Sequence, residues 1–372
     1  MKRLVLAGGG HAHVEVLRRL GLARRTDLDV ALLSPLPLTP YSGMLPGVVA
    51  GHYTTEEACI DLAPLARFAG ARFLQARVSA IDAGAQIVHA DDGSRFPFDV
   101  LSIDTGSVPP LTAIDGADAS GVSVKPVERF LDAWREVLDE RPSRTRCIAV
   151  VGAGAGGVEL ALAMRARLRT MQRDTEVVLC GESPDLLPSH SASTRRHVRE
   201  AIASRGIRLQ LGVRVTRVDE AQLRLADGTV IPTQWIVWAT GAAAPPWLRT
   251  SGLALDPAGF VLVDTSLRSV SHPAVHAAGD VATVRDHPHP KSGVYAVRQG
   301  PPLFGNLLRA LDGAAPHPWV PQPRTLALLS TGDGVAIASW GPFAATGAWA
   351  WRWKDRIDRG FMGRYRAAAL PP

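Results

Sequence analysis

The chain has 372 residues, 46% hydrophobic and 20% charged, which is room for two domains and a small third region and argues against disorder as the default. Its net charge of +6 comes from scattered, mostly arginine residues. No nucleic-acid motif accompanies it, so a solvated basic surface is the plain account and weak attraction to an anionic membrane the sharper one.

In chain order, residues 3–7 read as a buried parallel strand. Gly8-Gly9-Gly10 follow, then a helix through Val14, Val16, Leu17 and Leu20, then a strand over 29–33, which makes a βαβ unit. Residues 34–47 form a proline-stiffened loop, and a long loop of that kind inside a domain is more often functional than filler. Strands are expected over 72–81 and 86–90, and a buried strand over 99–104 ends at Thr105-Gly106. The same order then repeats. A strand over 147–151 leads to Gly152-Ala153-Gly154-Ala155-Gly156-Gly157 and a helix through Leu160, Leu162, Met164 and Leu168. A strand over 176–180 leads to Gly181-Glu182, strands lie near 207–218 and 222–231, and a strand over 235–238 ends at Ala239-Thr240-Gly241. This internal duplication predicts an α/β fold with two Rossmann-like dinucleotide-binding domains and a small C-terminal region. A strand near 274–278 then runs into Gly279-Asp280. The tail beyond about residue 318 holds Trp319, Trp340, Trp349, Trp351 and Trp353, five of the nine tryptophans.

The glycines carry a steric argument. A pyrophosphate reaches a helix N-terminus only where no Cβ blocks the backbone. Gly152, Gly154 and Gly157 fill all three positions of G-x-G-x-x-G. In the first unit Gly8 and Gly10 fit but His13 takes the third position, so either the helix shifts or Ala12 takes over the packing. Ser34 stands there in place of the usual acidic ribose ligand. Glu182, after the second strand of the repeat, is a ribose ligand that would repel a 2′-phosphate, so NADH is preferred over NADPH.

Cys59, Cys147 and Cys180 form no C-x-x-C pair, which argues against a disulfide scaffold, a zinc site and a local redox disulfide. His287 and His289, among prolines, read as an exposed loop rather than a metal site. The N-terminus carries no signal-peptide apolar region and no apolar stretch is long enough to cross a membrane, so a cytoplasmic location is expected.

The order Gly8-x-Gly10, Thr105-Gly106, Gly152-x-Gly154-x-x-Gly157, Ala239-Thr240-Gly241 and Ala278-Gly279-Asp280 resembles the flavoproteins that bind two dinucleotides. Among these it is most similar to the type II NADH dehydrogenases and their sulfide:quinone reductase relatives. The segment from Leu38 to Gly47 resembles the FAD-dependent module found fused ahead of selenide, water dikinase. The resemblance implies an FAD domain over 1–108 and 241–310, an NAD(P)H domain over 109–240, and a C-terminal interface or membrane-association region over 311–372. It implies that Gly8, Gly10, Ser34, Pro40, Thr105, Gly106, Gly279 and Asp280 hold FAD. Gly152, Gly154, Gly157, Glu182, Thr240 and Gly241 would hold NADH. Glu159 would lie near the nicotinamide and flavin, and Gln299 near the quinone side.

The implied activity is hydride transfer from NADH to FAD, with electrons passed to a quinone-like acceptor. The alternatives are a soluble reductase serving selenium or sulfur metabolism, and a poorly active flavin-binding partner or sensor module. In the tail, Trp349, Trp353, Ile357 and Phe361 recur on one helical face. That pattern suits an interfacial helix giving peripheral membrane contact, or equally a helix packed on the body or on a second subunit in a homodimer.

Overall fold

The apolar runs of the sequence are buried on both faces, as strands of a parallel sheet covered by helices must be. Leu4, Leu6, Leu32 and Leu33 in the first unit and Ile148, Ala149 and Val150 in the second have no exposed surface. The computed structural model describes residues 1–111, 114–117, 119–140, 147–219 and 221–366.

The first half contains β1 (Lys2–Ala7), α1 (His11–Ala23), β2 (Leu28–Ser34), α2 (Leu45–Ala50), β3 (Ala71–Gln75) and β4 (Val100–Ile103). The second contains β5 (Val122–Ser123), α3 (Val127–Asp139), β6 (Cys147–Val151), α4 (Ala155–Thr170), β7 (Glu176–Gly181), β8 (Arg208–Leu211) and β9 (Trp235–Trp238). The chain continues through β10 (Val275–Ala277) and α5 (Gly293–Asp312). It ends in β11 (Ala327–Ser330), β12 (Ala336–Trp340), β13 (Phe343–Gly347) and α6 (Ala348–Gly363).

Two five-stranded sheets result, in the orders β10-β4-β1-β2-β3 and β5-β9-β6-β7-β8. Every neighbouring pair in both is parallel. The expected α/β duplication is therefore a duplication of topology. Only the outer strand differs in source: β10 follows its half in sequence, whereas β5 precedes its own. In each sheet the order reverses beside the strand that carries the glycine turn, and open α/β sheets take ligands at the carboxyl ends of such strands. The two segments that join the halves pair with each other, Val108 bonding Ala243 in both directions at 2.9 and 2.8 Å.

Two expected strands are each divided. Residues 72–81 split into β3 and a strand Val78–Asp82 that enters a separate antiparallel sheet. Residues 207–218 split after β8 at Gly212, whose φ of +79° turns the chain away from the parallel sheet.

α5 lies against α1 because Gly300 has no side chain: a Cβ there would stand 2.7 Å from Glu15 Cβ. Leu303, Leu307 and Leu311 of α5 join the core of the first sheet, as do Phe361 and Met362 of α6. Each such side chain contributes about 1.5–3 kcal/mol by leaving water. The tail forms a three-stranded antiparallel sheet, β11-β12-β13, with α6 packed beside it.

Candidate functional site: two glycine turns and the helix that bridges them

Gly8 adopts a φ of +100°, and a Cβ there would stand 2.4 Å from the Asp104 carbonyl oxygen. Gly152 is its counterpart, at +127° and 2.1 Å from the Ala239 carbonyl oxygen. Both turns are thus closed to any residue with a side chain. The third motif position differs. A Cβ on Gly157 would stand 1.8 Å from the Gly152 carbonyl oxygen, so glycine is obligatory there. In the first half His13 fills that place without exposed surface. Its Nδ1 lies 2.6 Å from the Gly8 carbonyl oxygen and its Nε2 lies 2.8 Å from Ser102 Oγ. Burial pushes its pKa down to about 4, so the ring is neutral at pH 7. A carbonyl only accepts, so Nδ1 carries the proton and Nε2 accepts from the Ser102 hydroxyl. The imidazole fills the third motif position, and Ala12 beside it is also fully buried in the core.

Asp104 is the site residue that motif reading missed. It ends the strand just before Thr105-Gly106, where the second half has Ala239. Comparing the two halves of the repeat at this position reveals it. Its Oδ2 accepts from the backbone N–H groups of Ala12 at 2.9 Å and His13 at 3.1 Å, so it caps the N-terminus of α1. The carboxyl is buried, and desolvation pushes its pKa up to about 7 against the pull of those two donors. Gly10 and Gly279 converge on it: a Cβ on either would approach the carboxyl to 2.3 or 2.4 Å. Their missing side chains make room for Asp104.

The other residues expected at FAD gather around this point. Ser34 ends β2 beside Gly9 and donates its hydroxyl to the Leu36 carbonyl at 2.9 Å. Asp280 bonds Lys125 Nζ at 2.9 Å, and Ser107 Oγ donates to it at 3.3 Å. Lys125 belongs to the second half, so this ion pair bridges the two. Gln299 is fully buried in α5, where its Oε1 accepts from Gly279 N–H at 2.6 Å. The side chain thus holds the Gly279-Asp280 turn. Pro40 lies in the short strand Leu38–Pro40, paired with Cys59–Asp61. The next residue, Tyr41, sets its ring 5.5 Å edge-on to His11 at the start of α1.

At the second turn, Gly154 and Gly241 open onto free space, where a Cβ would meet nothing within 4 Å. Glu182 is exposed at the end of β7, and Gly181 beside it packs on Ala153. Thr105 Oγ1 and Thr240 Oγ1, at equivalent places in the two halves, are buried and have no hydrogen-bond partner. A buried orphan hydroxyl is costly unless a ligand or water answers it. Two of them in register, each beside a glycine cradle, fit a nucleotide at both turns.

Glu159 lies beyond the first turn of α4, so the helix dipole is not its main environment. Its Oε1 accepts from Ser330 N–H at 2.8 Å, and desolvation pushes its pKa up to about 7, with Lys354 pulling the other way. Lys354, on α6, donates to the Gly43 carbonyl at 2.7 Å and to Asp358 at 2.8 Å. Tyr41 faces the Asp358 carboxyl and stacks on Phe361 at 4.4 Å. α6 therefore joins the proline-rich loop to the helix that follows the second glycine turn. Glu159 feels the charge of Lys354, whose contacts run to the loop at Gly43 and to Asp358, while Gln299 bonds the Gly279 turn instead.

Two further expectations change. Phe361 turns inward and leaves the aromatic face. His289, expected in an exposed loop, packs against the Tyr295 ring at 4.4 Å. The three cysteines are free, and burial pushes the thiols of Cys59 and Cys180 up to about 11 and 12. Neither is an activated thiolate at neutral pH.

The fold matches solved structures over its whole length. The sulfide:quinone oxidoreductase of Aquifex aeolicus superposes with a TM-score of 0.83 at 18% identity, covering 100% of this chain and 93% of that one. The NDH2 of Plasmodium falciparum, solved with NADH, gives 0.80 at 14% identity, covering 100% and 99%. By sequence, an NADH dehydrogenase-like protein of Mycobacterium tuberculosis is 28% identical over 303 residues, 77% of this chain and 74% of the relative. The demethylphylloquinone reductase of Synechocystis is 25% identical over 363 residues, 91% of this chain and 87% of the relative. The family model described as pyridine nucleotide-disulphide oxidoreductase matches residues 2–300, and with the duplicated glycine turns this makes the chain an oxidoreductase of that family.

Proposed function

We propose that the chain oxidises NADH through a bound FAD and passes the electrons to a quinone-like acceptor. The observation that carries this is the pair of equivalent turns, each with an obligatory glycine and an orphaned threonine hydroxyl, in a chain whose cysteines form no pair. In this reading FAD lies with residues 1–108 and 241–310, held by Gly8, Gly10, Ser34, Pro40, Thr105, Gly106, Gly279 and Asp280. NADH lies with residues 109–240, held by Gly152, Gly154, Gly157, Thr240 and Gly241, with Glu182 selecting it over NADPH.

When bound, the flavin supplies the hydride-accepting and electron-donating chemistry. The protein supplies position and exclusion of water. Lys354 and Asp358, with side chains 12% and 5% exposed, close the space between Glu159 and the proline-rich loop. Glu159, with a pKa of about 7, can hold or release a proton at working pH. Relatives named type II NADH:quinone oxidoreductase and demethylphylloquinone reductase support the acceptor class. Among the described residues no helix is long and apolar enough to cross a membrane, and Trp349, Trp353 and Ile357 stand exposed in a row on α6. They would bring the protein to a membrane surface where quinones dissolve.

The purified protein should be yellow and bleach with NADH in the absence of oxygen. A soluble quinone should then restore the colour. Colourless protein that takes up no FAD overturns the proposal, and bleached protein that quinone fails to reoxidise overturns its acceptor.

A further inference from the structure

The N-terminus of α1 already holds a carboxyl group. A pyrophosphate is drawn to such a helix end by unpaired N–H groups and by the dipole. Here the N–H groups of Ala12 and His13 are given to Asp104, whose carboxyl fills the space that Gly10 and Gly279 leave open. The second half has no such group, since Ala239 stands at that place. Two anions sharing one site disfavour each other's charge.

We propose that FAD enters this chain together with one proton, taken from solvent and held on the Asp104 carboxyl. The inference rests on the reading of residues 1–108 and 241–310 as the FAD site. Without FAD the carboxylate caps α1. With FAD the acid is neutral, keeps an acceptor oxygen for the α1 amides, and no longer opposes the diphosphate.

The charged and titratable groups that face Asp104 come from several elements. On α1, His11 and His13 are held neutral by burial, each with a pKa of about 4. From the turn after β10, Asp280 faces the site and adds negative charge, and it is engaged by Lys125 from the second half. α5 contributes the uncharged Gln299. Burial already brings Asp104 to about 7, within reach of protonation by a nearby diphosphate.

The test is FAD binding to the full chain by titration calorimetry, in buffers of differing protonation enthalpy, between about pH 6 and 8.5. Wild-type protein should take up close to one proton per FAD at about pH 8, and its affinity should fall up to tenfold for each pH unit above about 7. Asp104→Asn keeps an acceptor for the helix amides and carries no charge. It should bind FAD with an affinity that does not vary over this range, more tightly than wild type at the alkaline end. No proton uptake by the wild type, or an unchanged pH dependence in Asp104→Asn, overturns the inference while leaving FAD binding intact. Absence of any FAD binding at all strikes the functional reading instead.

Discussion

The Nδ1 atom of His13 lies 2.6 Å from the carbonyl oxygen of Gly8, so a hydrogen-bonded side chain fills the place where the second half admits only glycine. His13→Gly would complete the nucleotide motif and should still be harmful. It removes a buried ring, leaves the Ser102 hydroxyl without its partner, and puts glycine in the first turn of α1. An unsatisfied buried hydroxyl costs about 1–3 kcal/mol and glycine in place of another helix residue up to about 1. A loss of about 2–4 kcal/mol in urea unfolding is expected. A variant as stable as wild type would show that the imidazole is a passenger.

Gly154 and Gly157 separate ligand contact from packing. Gly154 has a φ of −76° and open space where its Cβ would go, so Gly154→Ala should leave stability within about 0.5 kcal/mol of wild type. If NADH approaches this backbone closely, the same substitution should raise KM for NADH by tenfold or more, roughly 1.4 kcal/mol, with FAD content unchanged. Gly157→Ala must push α4 away from β6 and should lower both stability and NADH use. Steady-state kinetics and thermal melts on the two variants decide the matter, and an unaltered KM in Gly154→Ala removes the nucleotide from this turn.

Much of this architecture could be read before any coordinates. The two βαβ units, their glycine turns and their Thr-Gly strand ends are local patterns, each fixed by residues close in sequence. Asp104 was hidden because its partners, Ala12 and His13, lie about ninety positions away. The same holds for Lys125 with Asp280 and for Ser330 with Glu159. Gln299 shows the limit of periodicity, since a helix pattern says which face is apolar and not that a polar residue on it is buried against a distant amide. The split of residues 72–81 had no glycine to announce it. The parallel split at Gly212 did, and only the comparison of the halves makes the first one legible.

Lys354 pairs with the buried Asp358 carboxyl at 2.8 Å, and its charge favours the ionised form of Glu159. Its truncation in Lys354→Met leaves Asp358 and Glu159 without compensation. Breaking a buried pair in this way costs about 3–5 kcal/mol, and the cost should depend on pH. Both carboxyls have folded pKa values raised above their ordinary ones, that of Glu159 to about 7. Their stabilising contribution is therefore complete below the unfolded pKa and lost as pH rises through the folded one. Removing Lys354 raises both folded values further. The destabilisation should be smaller near pH 5, where the Glu159 acid is protonated, and largest above about pH 8. Chemical denaturation at the two pH values measures it, and a penalty independent of pH would mean that Lys354 acts through its packed stem alone.

The exposed face of α6 yields the last prediction. Trp349, Trp353 and Ile357 are 47, 43 and 44% exposed, and Phe343 in the preceding strand is 73% exposed. Phe361, one helical turn further along, is 6% exposed and stacks on Tyr41, so the face ends where α6 enters the core. Arg352 and Arg356 are exposed on the same helix and carry the charge that anionic lipid attracts, each worth about 1 kcal/mol near such a surface. Serine at all three exposed positions should leave folding and NADH oxidation with a water-soluble quinone close to wild type, because none of the three is buried. Sedimentation with anionic liposomes should weaken by more than tenfold, since each lost apolar side chain removes about 1.5–3 kcal/mol of transfer energy when fully buried. The competing reading, a second copy of the chain seated on this face, predicts instead a change in sedimentation velocity without lipid. Liposome binding that survives the triple substitution would place the membrane contact elsewhere on the molecule.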